Sequence, residues 1–102
     1  EEDEKASIMG MIYKTRLLNE IDNDTMLRLC SIISKSFLID LKKLPLYINQ
    51  SNEDSLEASN FINLGLIDNF VGGYWVNTPT WILNDIGKTL YRILKSNKWF
   101  DN

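Results

Sequence analysis

The stretch that decides the fold is LGLIDNFVGGYWVNTPTWILNDIGKTL, residues 64–90. Leu66, Ile67 and Phe70 predict a short strand, and Gly72-Gly73 is a turn signal of the kind that joins hairpin strands. The segment 74–76 continues as strand until it is broken at 77–79, and 81–83 forms the return strand. Asn84 is then placed to cap a last helix over about 85–96. The stretch predicts a two-stranded hairpin followed by a helix.

Three helices are predicted ahead of this hairpin, over about 3–19, 24–43 and 51–66, because apolar residues recur there at helical spacing. The apolar face of the first includes Ile8, Ile12 and Leu18, with Met9, Met11 and Tyr13 widening it; Gly10 would suit a close helix crossing. The second carries the stripe Leu27, Cys30, Ile33, Phe37 and Leu41.

Capping signals set the predicted helix ends. Asn23 or Asp24 would cap the second helix, and Pro45 would stop it, with a short helical turn in the bridge that follows. Ser51 or Asn52 would cap the third, whose buried side would comprise Leu56, Phe61, Ile62 and Leu64. Gly65 stands where a helix C-cap glycine is expected.

These elements predict a mainly α, α+β fold. A helical half, about 3–44, and a winged-helix-like half, about 51–96, would form one domain of residues 1–102, because a chain of 102 residues can build one small core. The sequence opens with Glu1-Glu2-Asp3-Glu4 and lacks an initiator Met, which favours a fragment of a longer protein.

The residue inventory argues against an enzyme. The chain has no histidine and one cysteine, Cys30, which excludes an internal disulfide and histidine-dependent catalysis. Cys30 stands on an apolar stripe, so we expect a buried, unreactive thiol in a reducing compartment, the cytoplasm. No apolar run reaches the roughly 18 residues of a membrane helix. We expect no catalytic, cofactor or metal site.

Two short motifs invite comparison with ligand-binding loops. Asp22 and Asp24 flank Asn23 as in calcium loops, but the glycine and the distal glutamate of such a loop are missing, so helix capping is the favoured interpretation. Gly72-Gly73 lacks the lysine of a phosphate-binding loop. Neither motif predicts a bound ion.

The second half resembles the winged-helix domains of bacterial and phage proteins, which often contain L-G-L-I, a variable loop and then Y-x-L-T-x-x-G. Trp81, Leu83, Asn84 and Gly87 occupy the aromatic, leucine, cap and glycine positions of that pattern. The resemblance covers about residues 51–95 and implies a fold more than an activity. Asn84 in place of threonine is a conservative cap change.

The first half is similar to a segment of uncharacterised phage and mobile-element proteins of bacteria, some related to abortive-infection proteins. In those proteins a helix, an I-D turn and a longer helix ending in D-L precede a wing-like end. The matching residues here are Ile21-Asp22 and Asp40-Leu41. This resemblance implies no chemistry.

Charge argues against the DNA binding that a winged helix suggests. No Lys or Arg occurs between Lys43 and Lys88, while the same interval contains Glu53, Asp54, Glu57, Asp68 and Asp85. Phosphate contacts need cations, and the net charge of −3 supplies no general attraction to a polyanion. Lys35, Lys42 and Lys43 would form a small basic patch or simply a solvated face.

The aromatic residues of the hairpin suggest a contact surface. Phe70 and Trp81 are expected in the core, whereas Tyr74 and Trp75 follow the glycine pair near the hairpin tip. Exposed Trp and Tyr are enriched in protein interfaces, so this pair is the candidate partner contact, with core packing as the alternative. We therefore expect a non-enzymatic protein-interaction or assembly module, which binds a protein partner or itself; the alternative is a winged-helix DNA-binding regulator.

Overall fold

The computed structural model describes residues 2–49, 56–69 and 81–101, which form a mainly helical fold with a small antiparallel sheet. The predicted α+β class is confirmed. In chain order the elements are α1 (Glu2–Leu17), α2 (Asn23–Lys35), α3 (Leu38–Leu41), a 3₁₀ turn (Leu44–Tyr47), α4 (Leu56–Leu64), β1 (Ile67–Asn69), β2 (Trp81–Leu83), α5 (Asp85–Ser96) and a closing 3₁₀ turn (Trp99–Asp101).

Helix α1 follows its sequence signals with one exception. Acidic residues occupy its first turn and basic residues its last, as the helix dipole favours, and Ile8 and Ile12 are completely buried. The helix ends before Leu18, which is exposed and therefore does not belong to the buried face, contrary to the prediction. A side chain at Gly10 would meet open space, so no close helix crossing explains that glycine.

The prediction of a continuous helix over 24–43 is wrong. Helix α2 ends at Lys35, where the buried Ser36 donates its hydroxyl hydrogen to the carbonyl of Ile32 at 2.6 Å, and α3 restarts at Leu38. The restart shifts the phase of the apolar pattern. Leu27 and Phe37, placed on the predicted stripe, are therefore 63% and 62% exposed.

The buried face of α2 is formed by Leu29, Ile32 and Ile33. Its cap is Asp22, rather than Asn23 or Asp24, because the Asp22 carboxylate accepts the backbone N–H of Thr25 at 2.8 Å. The capping interpretation of this acidic turn is thus confirmed one residue earlier than predicted. The 3₁₀ turn that contains Pro45 provides the predicted helical turn after α3.

Helix α4 ends as the sequence predicts. Gly65 adopts a φ of +76°, the left-handed conformation that glycine reaches without strain, and the N–H of Leu66 donates back to the carbonyl of Phe61 at 2.9 Å. Leu66 and Phe61 are both completely buried, which completes the hydrophobic contact of this C-cap motif. The predicted cap at Ser51 or Asn52 lies outside the described residues.

The buried side of α4 differs in part from the prediction. Phe61 is buried as expected, and Ala58 is buried with it. Leu56 and Ile62 are exposed and Leu64 is half-buried. The ring of Phe61 meets that of Tyr47 edge to face, with centroids 5.5 Å apart, so α4 packs on the 3₁₀ turn before it.

The two predicted strands pair antiparallel, with Ile67 opposite Leu83, Asp68 opposite Ile82 and Asn69 opposite Trp81. Asn84 caps α5 as predicted, because its side-chain oxygen accepts the N–H of Gly87 at 2.9 Å. Leu90, Ile93 and Leu94 bury the inner face of α5. Trp99 of the closing turn is also buried, so the tail packs as expected.

A single cluster of buried side chains joins both halves of the chain in the described residues. It takes residues from α1, α2, α3, both 3₁₀ turns, α4, the hairpin and α5. The members that are completely buried are Ile8, Ile12, Leu29, Ile33, Leu41, Leu44, Phe61, Leu66, Leu90 and Leu94. Every candidate surface below therefore lies on a common core.

Candidate functional site

The contact pair that the sequence favoured, Tyr74 and Trp75, lies outside the described residues, as do Phe70 and the Gly72-Gly73 turn. The partner-contact prediction for this pair stays a prediction. Trp81, at the start of β2, is half-buried and packs against the core, as expected for it. The described surface offers three other features: an apolar patch, a cleft and a groove.

The apolar patch lies on the hairpin formed by α1 and α2. Tyr13, Leu17 and Leu27, which we call the α1–α2 patch, are 50%, 82% and 63% exposed. Such large apolar side chains are ordinary singly, but a contiguous group marks an interaction surface.

Contacts between the two helices show that the patch is contiguous. The guanidinium Nε of Arg16 donates to the side-chain oxygen of Asn23 at 2.7 Å, so the end of α1 meets the start of α2. Tyr13 lies one turn before Leu17 and is hydrogen-bonded to the thiol of Cys30. Leu27 stands between Asn23 and Cys30 on the same stripe of α2, which places it beside Tyr13.

Cys30 borders this patch as a half-buried free thiol. Burial raises the pKa of Cys30, and the hydrogen bond with Tyr13 opposes that shift only in part. A raised pKa keeps the thiolate fraction low at neutral pH, which disfavours nucleophilic chemistry. Cys30 is thus a packing residue, although less deeply buried than the sequence predicted.

Charges of both signs surround the α1–α2 patch. Lys14 and Glu20 are exposed near the end of α1, and Arg28 pairs with Asp24 one turn earlier on α2, at 2.7 Å between Nε and Oδ2. Both partners of that ion pair are largely solvent-exposed, so the pair adds little stability. The mixed rim presents cations and anions to an approaching surface.

A cleft of about 330 Å³ separates α2 from the end of α4. Ile32, Leu64 and Ile86 form its apolar floor, and Arg28, Ser31, Lys35, Asn63 and Gly65 complete its lining. Two cations of α2 therefore lie beside α4, although the interval between Lys43 and Lys88 contains none. The lack of cations in that interval consequently counts less strongly against DNA binding at this cleft.

The basic patch suggested for Lys35, Lys42 and Lys43 does not form as a group. The ammonium of Lys42 donates to the backbone carbonyl of Trp99 at 2.7 Å and lies 3.8 Å from the centroid of its ring. Lys43 pairs with Glu57 of α4. Lys42 and Lys43 thus tie structural elements together, while Lys35 lines the cleft.

A broad groove runs along the outer side of α5. Ile48, Lys88, Tyr91, Arg92, Lys95 and Ser96 line it, and we call it the α5 groove. Lys88, Arg92 and Lys95 are exposed and recur at i, i+4 and i+7, so they share one helix face. This basic row was not predicted, although its spacing is readable from residues 88–95.

The described residues hold no group of three or more metal-ligating side chains. Within 2–49, 56–69 and 81–101, no helix is both long enough and apolar enough to cross a bilayer. Comparison of the chain finds no matching family model, and no match among curated proteins or solved structures. Function must therefore be inferred from the surfaces themselves.

Proposed function

We propose that this chain is a non-enzymatic assembly module that associates with a second copy of itself through the α1–α2 patch. The observation that carries the proposal is the exposure of Leu17 and Leu27, at 82% and 63%, on adjoining turns of two packed helices. Burying two leucines against a partner returns roughly 1.5–3 kcal/mol for each side chain. No such gain is available to them in the monomer.

The charge pattern favours a second copy as the occupant. A two-fold interface brings each residue of one surface against the same surface of the partner. The rim around the patch carries both signs, with Lys14 and Arg28 against Glu20 and Asp24, so a two-fold pair can set cations opposite anions. A surface of one sign would repel its own copy instead.

The wider setting also belongs to the proposal. The winged-helix-like pattern of residues 51–95 and the similarity of the first half to phage and mobile-element proteins support a bacterial or phage origin. The free thiol of Cys30 supports a reducing compartment, the cytoplasm. Tyr74 and Trp75 are proposed as a further partner contact on the same grounds as in the sequence.

The test is the mass of the protein in solution. Analytical ultracentrifugation over a concentration series should show a dimer for the unmodified chain and a monomer for the double variant Leu17→Ser, Leu27→Ser. Ile39→Ser is the matched control, because Ile39 is 76% exposed on α3, away from the patch, and should leave the dimer intact. A monomeric unmodified protein, or a double variant that dimerises equally well, would refute the proposal.

DNA binding is the second candidate function, and the cleft beside α4 is the observation that favours it. Arg28 and Lys35 could both approach phosphate there, with Ser31 and Asn63 as further hydrogen-bonding groups. Fluorescence anisotropy with random duplex DNA at low salt tests the idea. Micromolar binding that falls with salt and is lost in Lys35→Glu, but retained in the control Lys14→Glu, would support it.

A further inference from the structure

The α5 groove combines an apolar floor with a row of cations. Ile48 and the ring of Tyr91 supply the apolar part, and Lys88, Arg92 and Lys95 project beside them. In the described part of the chain, none of these three cations is paired with a carboxylate. The three side chains are therefore available to a partner that carries negative charge.

The spacing of the cations fits a helical or extended peptide. At 1.5 Å per residue, Lys88 to Lys95 covers roughly 10 Å along α5. Acidic side chains that recur once per turn on a partner helix span the same length. Apolar side chains between those acids would meet Ile48 and Tyr91, so the occupant has to be both acidic and apolar.

Two other anionic partners fit the groove less well. A single-stranded nucleic acid needs an aromatic face for base stacking. The ring of Tyr91 is already packed against Phe100, with centroids 5.6 Å apart, and Lys95 lies 5.6 Å from its centroid. An anionic membrane favours a protruding apolar face, whereas the apolar residues here line a groove between cations.

We infer that the α5 groove is a docking site for an acidic peptide segment with apolar anchors, supplied by a partner protein. Lys88 and Arg92 attract and orient the carboxylates, and Ile48 and Tyr91 accept the apolar anchors. This docking is independent of self-association through the α1–α2 patch. The two surfaces use different helices and different chemistry.

The test uses a fluorescein-labelled peptide that alternates Glu-Glu and Leu-Leu pairs, titrated with the full chain and followed by anisotropy. We expect binding that weakens as salt rises, because charge pairs at a partly exposed surface are screened. Lys88→Glu with Arg92→Glu should weaken binding by at least about tenfold. Lys14→Glu with Lys35→Glu changes the net charge equally and should leave the affinity within about twofold.

Further arms separate the rival explanations. A peptide with Ser in place of Leu, and the variant Ile48→Ser with the original peptide, should each bind more weakly. Leu17→Ser with Leu27→Ser should bind the peptide normally, even where it abolishes the dimer. Unchanged binding by the Lys88 and Arg92 double variant, no binding at low salt, or tighter binding of oligo-dT or phosphatidylserine vesicles at the same residues would overturn the inference.

Discussion

The carbonyl oxygen of Leu66 occupies the space that a Cβ atom on Gly87 would need. A side chain there would overlap that oxygen and would lie 3.1 Å from Cδ2 of Leu83. The oxygen is held in place because it accepts the N–H of Asn84 at 3.0 Å. The first turn of α5 therefore packs directly on the chain between α4 and β1, and glycine is required for this approach.

Replacing Gly87 by alanine should destabilise the fold. Overpacking costs roughly 1–3 kcal/mol, which outweighs the gain of about 1 kcal/mol that alanine brings to a helix. Urea denaturation measures the change in the free energy of unfolding. Gly10→Ala is the control, since that helical site faces open space and should gain stability. Equal stabilisation by both substitutions would contradict the packing argument.

Asn84 serves the ends of two helices at once. Its side-chain oxygen caps α5, and its amide nitrogen donates to the carbonyl of Gly65 at 2.6 Å, at the end of α4. Asn84→Asp keeps the capping oxygen but loses that donor, so we expect a loss of about 1–2 kcal/mol. Threonine or serine cannot donate in the same way while capping.

Thermal unfolding of Asn84→Asp, Asn84→Ser and Asn84→Ala would rank these contributions. We expect alanine to be the least stable, because it loses both the cap and the donor. Had Asn84 been a simple cap, aspartate and serine would match the original protein at neutral pH, and that result would remove the proposed link to Gly65.

Asp22 should make the stability of α2 depend on pH. Hydrogen bonds from the Thr25 side chain and then from its backbone N–H lower the pKa of Asp22 below its ordinary value of 3.8. A lowered pKa in the folded state stabilises the fold at pH values above 3.8, and this stabilisation is lost as the pH falls through the lowered pKa.

The substitution Asp22→Asn retains a capping oxygen that does not titrate. The difference in stability between the original chain and this variant should therefore shift in favour of the variant as the solution is acidified. Circular dichroism melts at neutral pH and at successively lower pH values measure it, with the other carboxylates cancelling in the difference. A difference that stays constant with pH would show that the Asp22 carboxylate does not stabilise the fold.

Lys42 and Trp99 fasten the tail of the chain to the helical half. Trp99 is buried, contacts Phe100 edge to face at 5.3 Å between centroids, and receives the ammonium of Lys42. Trp99→Ala should cost roughly 3–5 kcal/mol, as removal of a large core aromatic does. Lys42→Met, which retains the aliphatic stem, should cost about 1 kcal/mol.

Chemical denaturation of these two variants checks the prediction, with Lys35→Met as the matched lysine control. Lys35 lines the cleft and makes no contact with Trp99 among the described interactions. A Lys42→Met protein as stable as the Lys35→Met control would mean that the ammonium adds nothing to the packing of Trp99.

The hairpin and its flanking helix ends were predictable because their signals are local. Gly65 in the left-handed region and Asn84 before Asp85 each act within a few residues, so a short window of sequence contains the cause. The break between α2 and α3 was not, since neither Ser36 nor Phe37 is a helix breaker. There the buried hydroxyl of Ser36 and the packing of Leu38 and Leu41 decide the chain direction.

The surfaces were harder to predict than the elements. Lys35, Lys42 and Lys43 are close in sequence, yet packing gives the last two structural partners in distant elements. Lys88, Arg92 and Lys95 form a row that helix geometry alone predicts, but only the placement of Ile48 beside them makes a groove. Residues far apart in sequence define a site only after the core has formed.

The three bonds around Asn84 and Leu66 also bear on how the molecule opens. Amide hydrogens at the end of α4, in the paired strands and in the first turn of α5 share these bonds, so none of the three can be released without disturbing the others. Their deuterium exchange should consequently proceed at one common rate, as a unit that unfolds together while α1 and α2 stay protected.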